Sequence, residues 1–384
     1  MSEVVLNDIC ELIVDCPHST AYDEGTGYPL VRTPNIGRGR LIYSGMHRVC
    51  EEVYNKRNAR AIPQTNDLIF AREATAGNVA LIQEGEKVCL GQRTVLIRPN
   101  ANLVNPAFLT YHLLAPEQQY KLLSTANGAT VAHVNMPTIR NLKLSLPPLA
   151  TQHRIANILS RYDSLIENYQ KQIKLLEEAA QRLYKEWFVD LCFPGHENTK
   201  IVDGVPEGWE EKSIMEVFDF KYGKILPTKD FVEDGPIPVY GASKQIGRYT
   251  KANCFEPKVL IGSRGNAGFV HRTIEDETYV TNNSFIVEPT KEYTFLRLPY
   301  IYESFKAMDF VAICTGAAQP QLTLNSIASL KYIVPTKKLI TIYCDVSISF
   351  FTKIAMSYKQ IRLLIEARDR LLPKLMSGEI NVES

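Results

Sequence analysis

Between residues 151 and 188 apolar side chains recur at Ile155, Leu159, Tyr162, Ile166, Tyr169, Ile173, Leu176, Ala180, Leu183 and Trp187. The steps alternate between four and three residues without a break. That is the a/d seam of a coiled coil, narrower than the stripe of an ordinary surface helix. Pro147-Pro148 cannot lie inside the helix, Thr151 is a candidate N-cap, and Pro194-Gly195 ends the pattern. A second seam lies between Pro335 and Pro373, at Tyr343, Ser347, Phe350, Ile354, Ser357, Ile361, Leu364, Arg368 and Leu371. Ser347, Ser357 and Arg368 interrupt it. The stretch 339–348 is rich in β-branched residues, so tertiary packing must hold that end helical. A heptad seam needs a partner, and each tail offers the other one within the same chain. The expectation is an antiparallel pair with a globular domain at each end. Its interface is Ile155, Leu159, Tyr162, Ile166, Tyr169, Ile173, Leu176 and Leu183 against Phe350, Ile354, Ile361, Leu364 and Leu371.

The two tails are copies. Residues 127–184 align with 315–372 at a constant offset of 188 positions. Gly128-Ala129 falls on Gly316-Ala317, Leu142-Lys143 on Leu330-Lys331, and Pro147 on Pro335. Lys171-Gln172-Ile173 falls on Lys359-Gln360-Ile361, and Arg182-Leu183 on Arg370-Leu371. Upstream the offset drifts. Asp67-Leu68-Ile69-Phe70-Ala71-Arg72 resembles Lys258-Val259-Leu260-Ile261-Gly262-Ser263-Arg264, and Arg93 to Pro99 matches Asn283 to Pro289. A period this long describes a duplicated domain pair, not a solenoid.

The parts between the tails read as mixed α/β. Strands are expected at 67–71, 79–82, 94–98, 258–261 and 284–287, as β-branched or aromatic runs bounded by Gly, Pro or Asn. Helices are expected at 106–114, with Pro106 in the first turn, and from Leu298 to Glu303. The fold class is α+β: two mixed α/β domains separated by two long antiparallel coiled-coil helices with a pseudo-twofold repeat. The expected boundaries are 1–150, 151–192, 193–338 and 339–384.

Composition narrows the partners. The chain has 384 residues, 45% of them hydrophobic, enough for real cores. Lys and Arg number 43 against 42 Asp and Glu, so the chain is no polycation and any nucleic-acid contact must rest on local patches. The eight cysteines form no CxxC and are widely spaced, as expected for buried reduced thiols in a cytoplasm. The acidic N-terminus does not read as a signal peptide, and no apolar run approaches the ~18 residues of a membrane helix.

Basic patches do occur. Gly37-Arg38-Gly39-Arg40 and Asn55-Lys56-Arg57-Asn58-Ala59-Arg60 mix arginine with glycine and amides. In the second half, Tyr240 to Tyr249 and Ser263-Arg264-Gly265-Asn266 have the same character. Arg reads guanine edges, Asn reads adenine, and Lys and Arg hold phosphates. The candidate DNA-binding residues are Arg38, Arg40, Lys56, Arg57, Arg60, Arg72, Asn78, Lys224, Lys244, Arg248, Arg264 and Asn266. Any one of these arginines also reads as a solvated surface charge. The Arg-plus-Gly loop after the same strand in both halves raises the functional reading.

Catalytic motifs are missing. There is no GxxxxGK[ST] loop, no GxGxxG, no Asn/Asp-Pro-Pro-aromatic motif and no HExxH. Asp203 with Glu210-Glu211-Lys212 is the nearest approach to a Mg²⁺-binding nuclease pattern, and it is short and common by chance.

The layout resembles the specificity (S) subunit of Type I restriction-modification systems. The matching segments are Leu146-Pro147-Pro148-Leu149-Ala150-Thr151-Gln152-His153-Arg154-Ile155-Ala156, the run Gln172 to Phe188, Val205-Pro206-Glu207-Gly208-Trp209, and Leu371-Leu372-Pro373-Lys374-Leu375-Met376-Ser377-Gly378-Glu379-Ile380. The resemblance implies a non-catalytic reader of double-stranded DNA. Two target-recognition domains would each take one half of a bipartite asymmetric site. The paired helices would set the spacer and dock two methyltransferase (M) subunits, with restriction (R) subunits completing the complex. S-adenosylmethionine, ATP and Mg²⁺ would belong to those partners, leaving this chain without cofactor, metal or membrane and in the cytoplasm. Thr336-Lys337-Lys338-Leu339-Ile340-Thr341 departs from the Pro-x-x-Glu-Gln-x-x-Ile start of the second spacer. The competing readings are a single-chain nuclease or methyltransferase and a coiled-coil scaffold without DNA readout.

Overall fold

The structure is a computed structural model that describes residues 2–124, 133–316 and 319–382. The repeat anchors Gly128, Ala129 and Ala317 lie outside the described residues. The chain forms two compact mixed α/β units, Met1–Glu167 with Arg362–Ser384, and Asn168–Ile361. Each unit therefore contains a segment of both long helices.

The first unit carries β1 (Ser2–Val5), β2 (Cys10–Asp15), β3 (Tyr28–Val31), β4 (His47–Val49), β5 (Leu68–Ala71), β6 (Val79–Leu81), β7 (Cys89–Leu90), β8 (Thr94–Pro99) and β9 (Lys143–Leu146). These form a sheet β2-β8-β5-β6, a sheet β4-β3-β7 and a pair β1-β9. Strand β5 is buried at all four positions because it is flanked on both edges and covered on both faces. This is why Leu-Ile-Phe-Ala reads as a continuous apolar run rather than an alternating one. Phe70 and Val95 face a core shared with the helix Pro106–Leu114, while Ile69 and Leu96 face the second core under β3. Asn105 caps that helix by accepting from the Phe108 amide at 2.9 Å.

The second unit carries β10 (Ile201–Val202), β11 (Val205–Pro206), β12 (Glu210–Ser213), β13 (Phe218–Tyr222), β14 (Ile237–Tyr240), β15 (Gln245–Tyr249), β16 (Val259–Gly262), β17 (Val270–Arg272), β18 (Tyr279–Val280), β19 (Ser284–Pro289) and β20 (Lys331–Val334). Its sheets run β13-β19-β16-β17, β15-β14-β18 and β12-β20. Each matches a sheet of the first unit in strand order, with the small hairpin β10-β11 as an addition. The five strands expected from the sequence are β5, β6, β8, β16 and β19, each shifted by two residues at most.

The central helix spans Leu149–Tyr184. It starts directly after the prolines, and Pro148 supplies the first acceptor, taking the Thr151 and Gln152 amides at 2.9 and 3.1 Å. Thr151 is thus inside the first turn rather than capping it. Beyond Tyr184 the helix widens into a π turn, Lys185–Val189, and Leu191 turns the chain away at φ 57°. The C-terminal helix spans Lys337–Ser377 and runs through Pro373 instead of stopping there. Burial of Leu372 and Leu375 in the core of the first unit holds the last turn against the amide hydrogen bond that proline removes. Its β-branched start is held as expected, by packing: Leu339, Ile340, Tyr343 and Cys344 are buried in the core of the second unit.

An 18-residue window of this helix reaches a mean hydropathy of 1.5, with 39% of the window buried inside the protein. By length and composition it is apolar enough to cross a membrane, which corrects the expectation that no segment approaches that limit. The sequence count missed it because serines and threonines interrupt the apolar run. Every seam position of both helices is buried or half-buried. Two of the three polar interruptions answer the helix itself, Ser347 donating to the Tyr343 carbonyl and Ser357 to the Lys353 carbonyl, both at 2.8 Å.

Candidate nucleic-acid interface

In the first unit most of the expected DNA-binding residues are engaged with the protein. Gly39, at φ 103°, follows β6: its amide donates to the Val79 carbonyl and its carbonyl accepts from the Leu81 amide. That path brings Arg40 onto the central helix, where Nε donates to Glu167 at 2.5 Å. Arg38 is exposed and donates to the Leu114 carbonyl at 3.1 Å. The Gly-Arg loop is therefore a strap from the sheets to the helices, and not a free finger. Asn78 donates to the Ile36 carbonyl and Arg60 to the Asp15 carbonyl.

Arg57 and Arg72 are corrections. Arg57 is 4% exposed, and its guanidinium donates to the carbonyls of Leu90, Ser19 and Pro17. It ties the loop after β2 to the end of β7. Arg72 is 7% exposed and donates to the Val134 carbonyl, to Asp15 at 2.8 Å and to His133 Nε2 at 2.9 Å. That leaves His133 Nδ1–H to donate to Glu73, which also pairs with Arg93. Donors this fully used are not available to a phosphate or a base edge. Lys56 stays exposed, with no side-chain partner among the described residues.

The second unit differs. Arg248 is half-buried and engaged with the protein, donating to the carbonyls of Gly235 and Pro236. Lys224, Lys244, Arg264 and Asn266 are exposed. Asn266 Nδ2 donates to Ser243 Oγ at 2.7 Å, joining the β14–β15 turn to the β16–β17 loop. Arg264 is bridged through its backbone to Gln321, which in turn bridges Thr315. Three loops thus converge around Lys244, Arg264 and Asn266, with Phe269 half exposed beside them. Two glycines make this possible. A Cβ on Gly262 would stand 2.1 Å from the Asn266 carbonyl oxygen, and one on Gly268 would stand 2.7 Å from the Val311 nitrogen. Among the described residues the arrangement offers two cations without a side-chain partner, Lys244 and Arg264, and an amide at one surface, the groups that hold phosphates and read base edges.

The hydrogen bonds also settle which residues correspond. In the first unit the Arg72 amide donates to the Arg93 carbonyl, and the Arg72 carbonyl accepts from Val134. In the second, the Ser263 amide donates to Asn283 and the Ser263 carbonyl accepts from Leu322. Arg72 therefore corresponds to Ser263 and not to Arg264. The apparent recurrence of an arginine after the same strand was a one-residue misalignment.

The sequence reading missed Asp163. It is 3% exposed, accepts from the Tyr111 hydroxyl at 2.5 Å and pairs with Arg368 at 2.6 Å. Burial pushes the Tyr111 hydroxyl upward in pKa, and the Asp163 carboxylate adds to this. A signal was present: an arginine at a seam position demands a buried acceptor. Asp203 occupies the β10–β11 turn at φ 53°, and Glu210 pairs with Lys212 at 3.0 Å on β12. Among the described residues no group of three or more His, Cys, Asp or Glu could hold a metal ion.

Two α/β units of the same strand order, the second with cations and an amide gathered on exposed loops, define a duplicated two-domain protein. The profile of the Type I restriction modification DNA specificity domain matches residues 1–178 and 206–341, and the chain belongs to that family. It supplies the DNA sequence specificity of a Type I restriction-modification system. Among its relatives, the Type I restriction enzyme MjaIX specificity subunit of Methanocaldococcus jannaschii is 24% identical, covering 98% of this chain and 93% of that protein. The HindI specificity subunit of Haemophilus influenzae is 24% identical over 74% of this chain and 80% of its own. The crystal structure of the Type I S subunit from M. genitalium shares the fold with a TM-score of 0.56 at 20% identity, covering 97% of this chain and 95% of that one.

Proposed function

We propose that each unit reads one half of a bipartite, asymmetric double-stranded DNA site and that the two long helices form an antiparallel coiled coil relating the units by a pseudo-twofold. The observation that carries this reading is the matched strand order of the two units, each with its own segment of both helices. Within the first unit Asp163 near the start of the central helix pairs with Arg368 near the end of the C-terminal one. Within the second, Trp187 at the end of the central helix packs on Tyr343 at the start of the other. Two partners matched in opposite order support an antiparallel pair. The helices would fix the spacer between half-sites and dock two methyltransferase subunits, with restriction subunits joining them. S-adenosylmethionine, ATP and Mg²⁺ would act in those subunits, in the cytoplasm, while this chain contributes recognition without catalysis. In this reading the recognition domains are 1–150 and 193–338, and the spacer segments 151–192 and 339–384 contain the two long helices.

The test is an insertion of one heptad into both helices, in register, followed by mapping of methylated adenines in cells carrying the complete system. A heptad adds about 10 Å, or about three base pairs, to the separation of the half-sites. The spacer should lengthen with both half-sites unchanged. An unaltered spacer overturns the ruler.

A further inference from the structure

The two seams correspond position for position through the 188-residue offset: Ile155 with Tyr343, Leu159 with Ser347, Tyr162 with Phe350, and so on to Leu183 with Leu371. Ile166, Ile173, Leu176 and Leu183 are identical to their equivalents in the other helix. Apolar matching therefore does little to favour the pairing of one helix with the other over the pairing of either with a copy of itself. Selectivity must come from the positions that differ in charge, because non-directional burial does not distinguish such partners.

One seam position does differ in charge. Arg368 interrupts its seam, and the equivalent residue in the central helix is Ala180. Its partner Asp163 is equivalent to Phe351. The Asp163 carboxylate is enclosed. Arg368 Nη1 is at 2.6 Å and the Tyr111 hydroxyl at 2.5 Å, and a Cβ on Gly39 would come within 3.2 Å of Oδ2. Arg368 also holds the neighbouring Asp369 at 2.9 Å. If two central helices paired in the same antiparallel register, Asp163 would meet Ala180. If two C-terminal helices did so, Arg368 would meet Phe351. The first arrangement leaves the buried Asp163 carboxylate without its countercharge, the costly outcome for an ion pair in low dielectric, and the second leaves half-buried Arg368 with only its helix neighbour Asp369.

We propose that the Asp163–Arg368 pair is the pairing-specificity determinant of the two long helices. It selects the match between the two different helices of the chain over self-matches between two copies of the protein. The inference rests on the antiparallel reading above and adds to it a partner choice that an apolar seam would not make. The pair contributes selectivity more than stability, since a buried ion pair replaced on both sides by apolar residues is often neutral or better.

The experiment uses the full chain. Asp163→Leu with Arg368→Leu should fold with an unchanged or raised melting temperature. In sedimentation velocity over a concentration series it should self-associate on the order of a hundredfold more tightly than the parent, whose mispaired form carries the buried-charge penalty. Asp163→Asn with Arg368→Gln is the milder second variant and should shift in the same direction. A cross-link separates the two levels of the argument. With exposed Cys50 and Cys192 changed to serine, Leu159→Cys and Leu372→Cys lie one helical turn from the pair, in one core. They should form an intrachain disulfide in the parent and partly interchain disulfides in the leucine variant. Absence of the intrachain bond in the parent overturns the antiparallel reading and the proposal with it. An intrachain bond in every variant, with self-association unchanged, overturns the selectivity proposal alone.

Discussion

The two units share every sheet order, yet they secure their helices with different chemistry. The first unit uses directional ion pairs on its helices, Arg40 with Glu167 and Arg368 with Asp163, and others at its sheets, Arg72 with Asp15 and Arg98 with Asp67. The second uses aromatic surface. Tyr184, Phe188, Tyr300 and Tyr343 pack edge-on or tilted with centroids 4.9–6.3 Å apart, and Trp187 joins them. A deeply placed cation there, Arg272, lies over the rings of Phe351 and Tyr302 at 4.5 and 5.4 Å. A topology thus specifies where surface must be buried but leaves open how the polar groups at its joints are satisfied. Arginine closes buried joints in both units, with Arg57 and Arg72 in the first and Arg272 in the second, but the second also leaves Arg264 exposed at its loops.

The largest effect expected from this contrast is at the paired positions Arg72 and Ser263. Arg72→Ala strands Asp15, His133 and the Val134 carbonyl, and breaking one side of such a buried pair costs about 3–5 kcal/mol. Ser263→Ala removes one hydrogen bond, from Oγ to the Asn282 carbonyl at 3.3 Å, worth about 1 kcal/mol. Urea unfolding of the two variants should show the first unit collapsing early in one and a small uniform shift in the other. Equal losses would mean the two joints are not built differently.

A second effect belongs to the aromatic joint alone. Glu303 is 3% exposed, and burial raises its pKa from 4.5 to about 7, with Lys306 and Arg272 opposing and Glu177 assisting. A carboxyl with a raised folded value is favoured in its protonated form. Its contribution is full below pH 4.5, declines as the unfolded chain ionises, and is lost by about pH 7. The second unit should lose about 3 kcal/mol from this group between pH 5 and 8. His271 acts in the opposite sense: burial lowers it from 6.5 to about 4, so its contribution is lost as pH falls through that window. Glu303→Gln isolates the first term. Its stability relative to the parent should rise steadily from pH 5 to 8 in thermal melts, and a flat difference would show that Glu303 is already ionised in the folded unit.

The elements were legible where one period dominates. The heptad seams, the buried run Leu68–Ala71 and the proline-started helix Pro106–Leu114 are each set by local spacing. The end of the C-terminal helix was misread because Pro373 is a local stop signal overridden by burial of Leu372 and Leu375, which only tertiary contact reveals. The candidate interface was legible only in part. A basic Gly-rich loop looks the same in sequence whether its arginine faces solvent, as Arg264 does, or a carbonyl across the fold, as Arg57 does. Arg57 meets acceptors 33 to 40 positions away, and no local rule reaches that far. Asp163 was the reverse case: the unmatched arginine in the seam announced a partner without saying which carboxylate it was.

The smallest change in stability is expected where the change in function should be most selective. Arg264 is exposed, and its side chain has no partner among the described residues, so Arg264→Ala should stay within about 0.5 kcal/mol of the parent in unfolding. Its effect belongs on DNA. If the guanidinium holds a phosphate, affinity falls alike for all sequences and the salt slope of log K drops by about 0.9. If it grips a guanine edge, about 1–3 kcal/mol is lost for that base pair, and discrimination relaxes at one position of one half-site while the slope stays put. Binding of the assembled complex to a panel of single-base variants at two salt concentrations separates the two outcomes. Relaxed discrimination at positions in both half-sites would contradict the assignment of one unit to one half. Arg57→Ala, run in parallel, should unfold the first unit early and so affect only the other half-site.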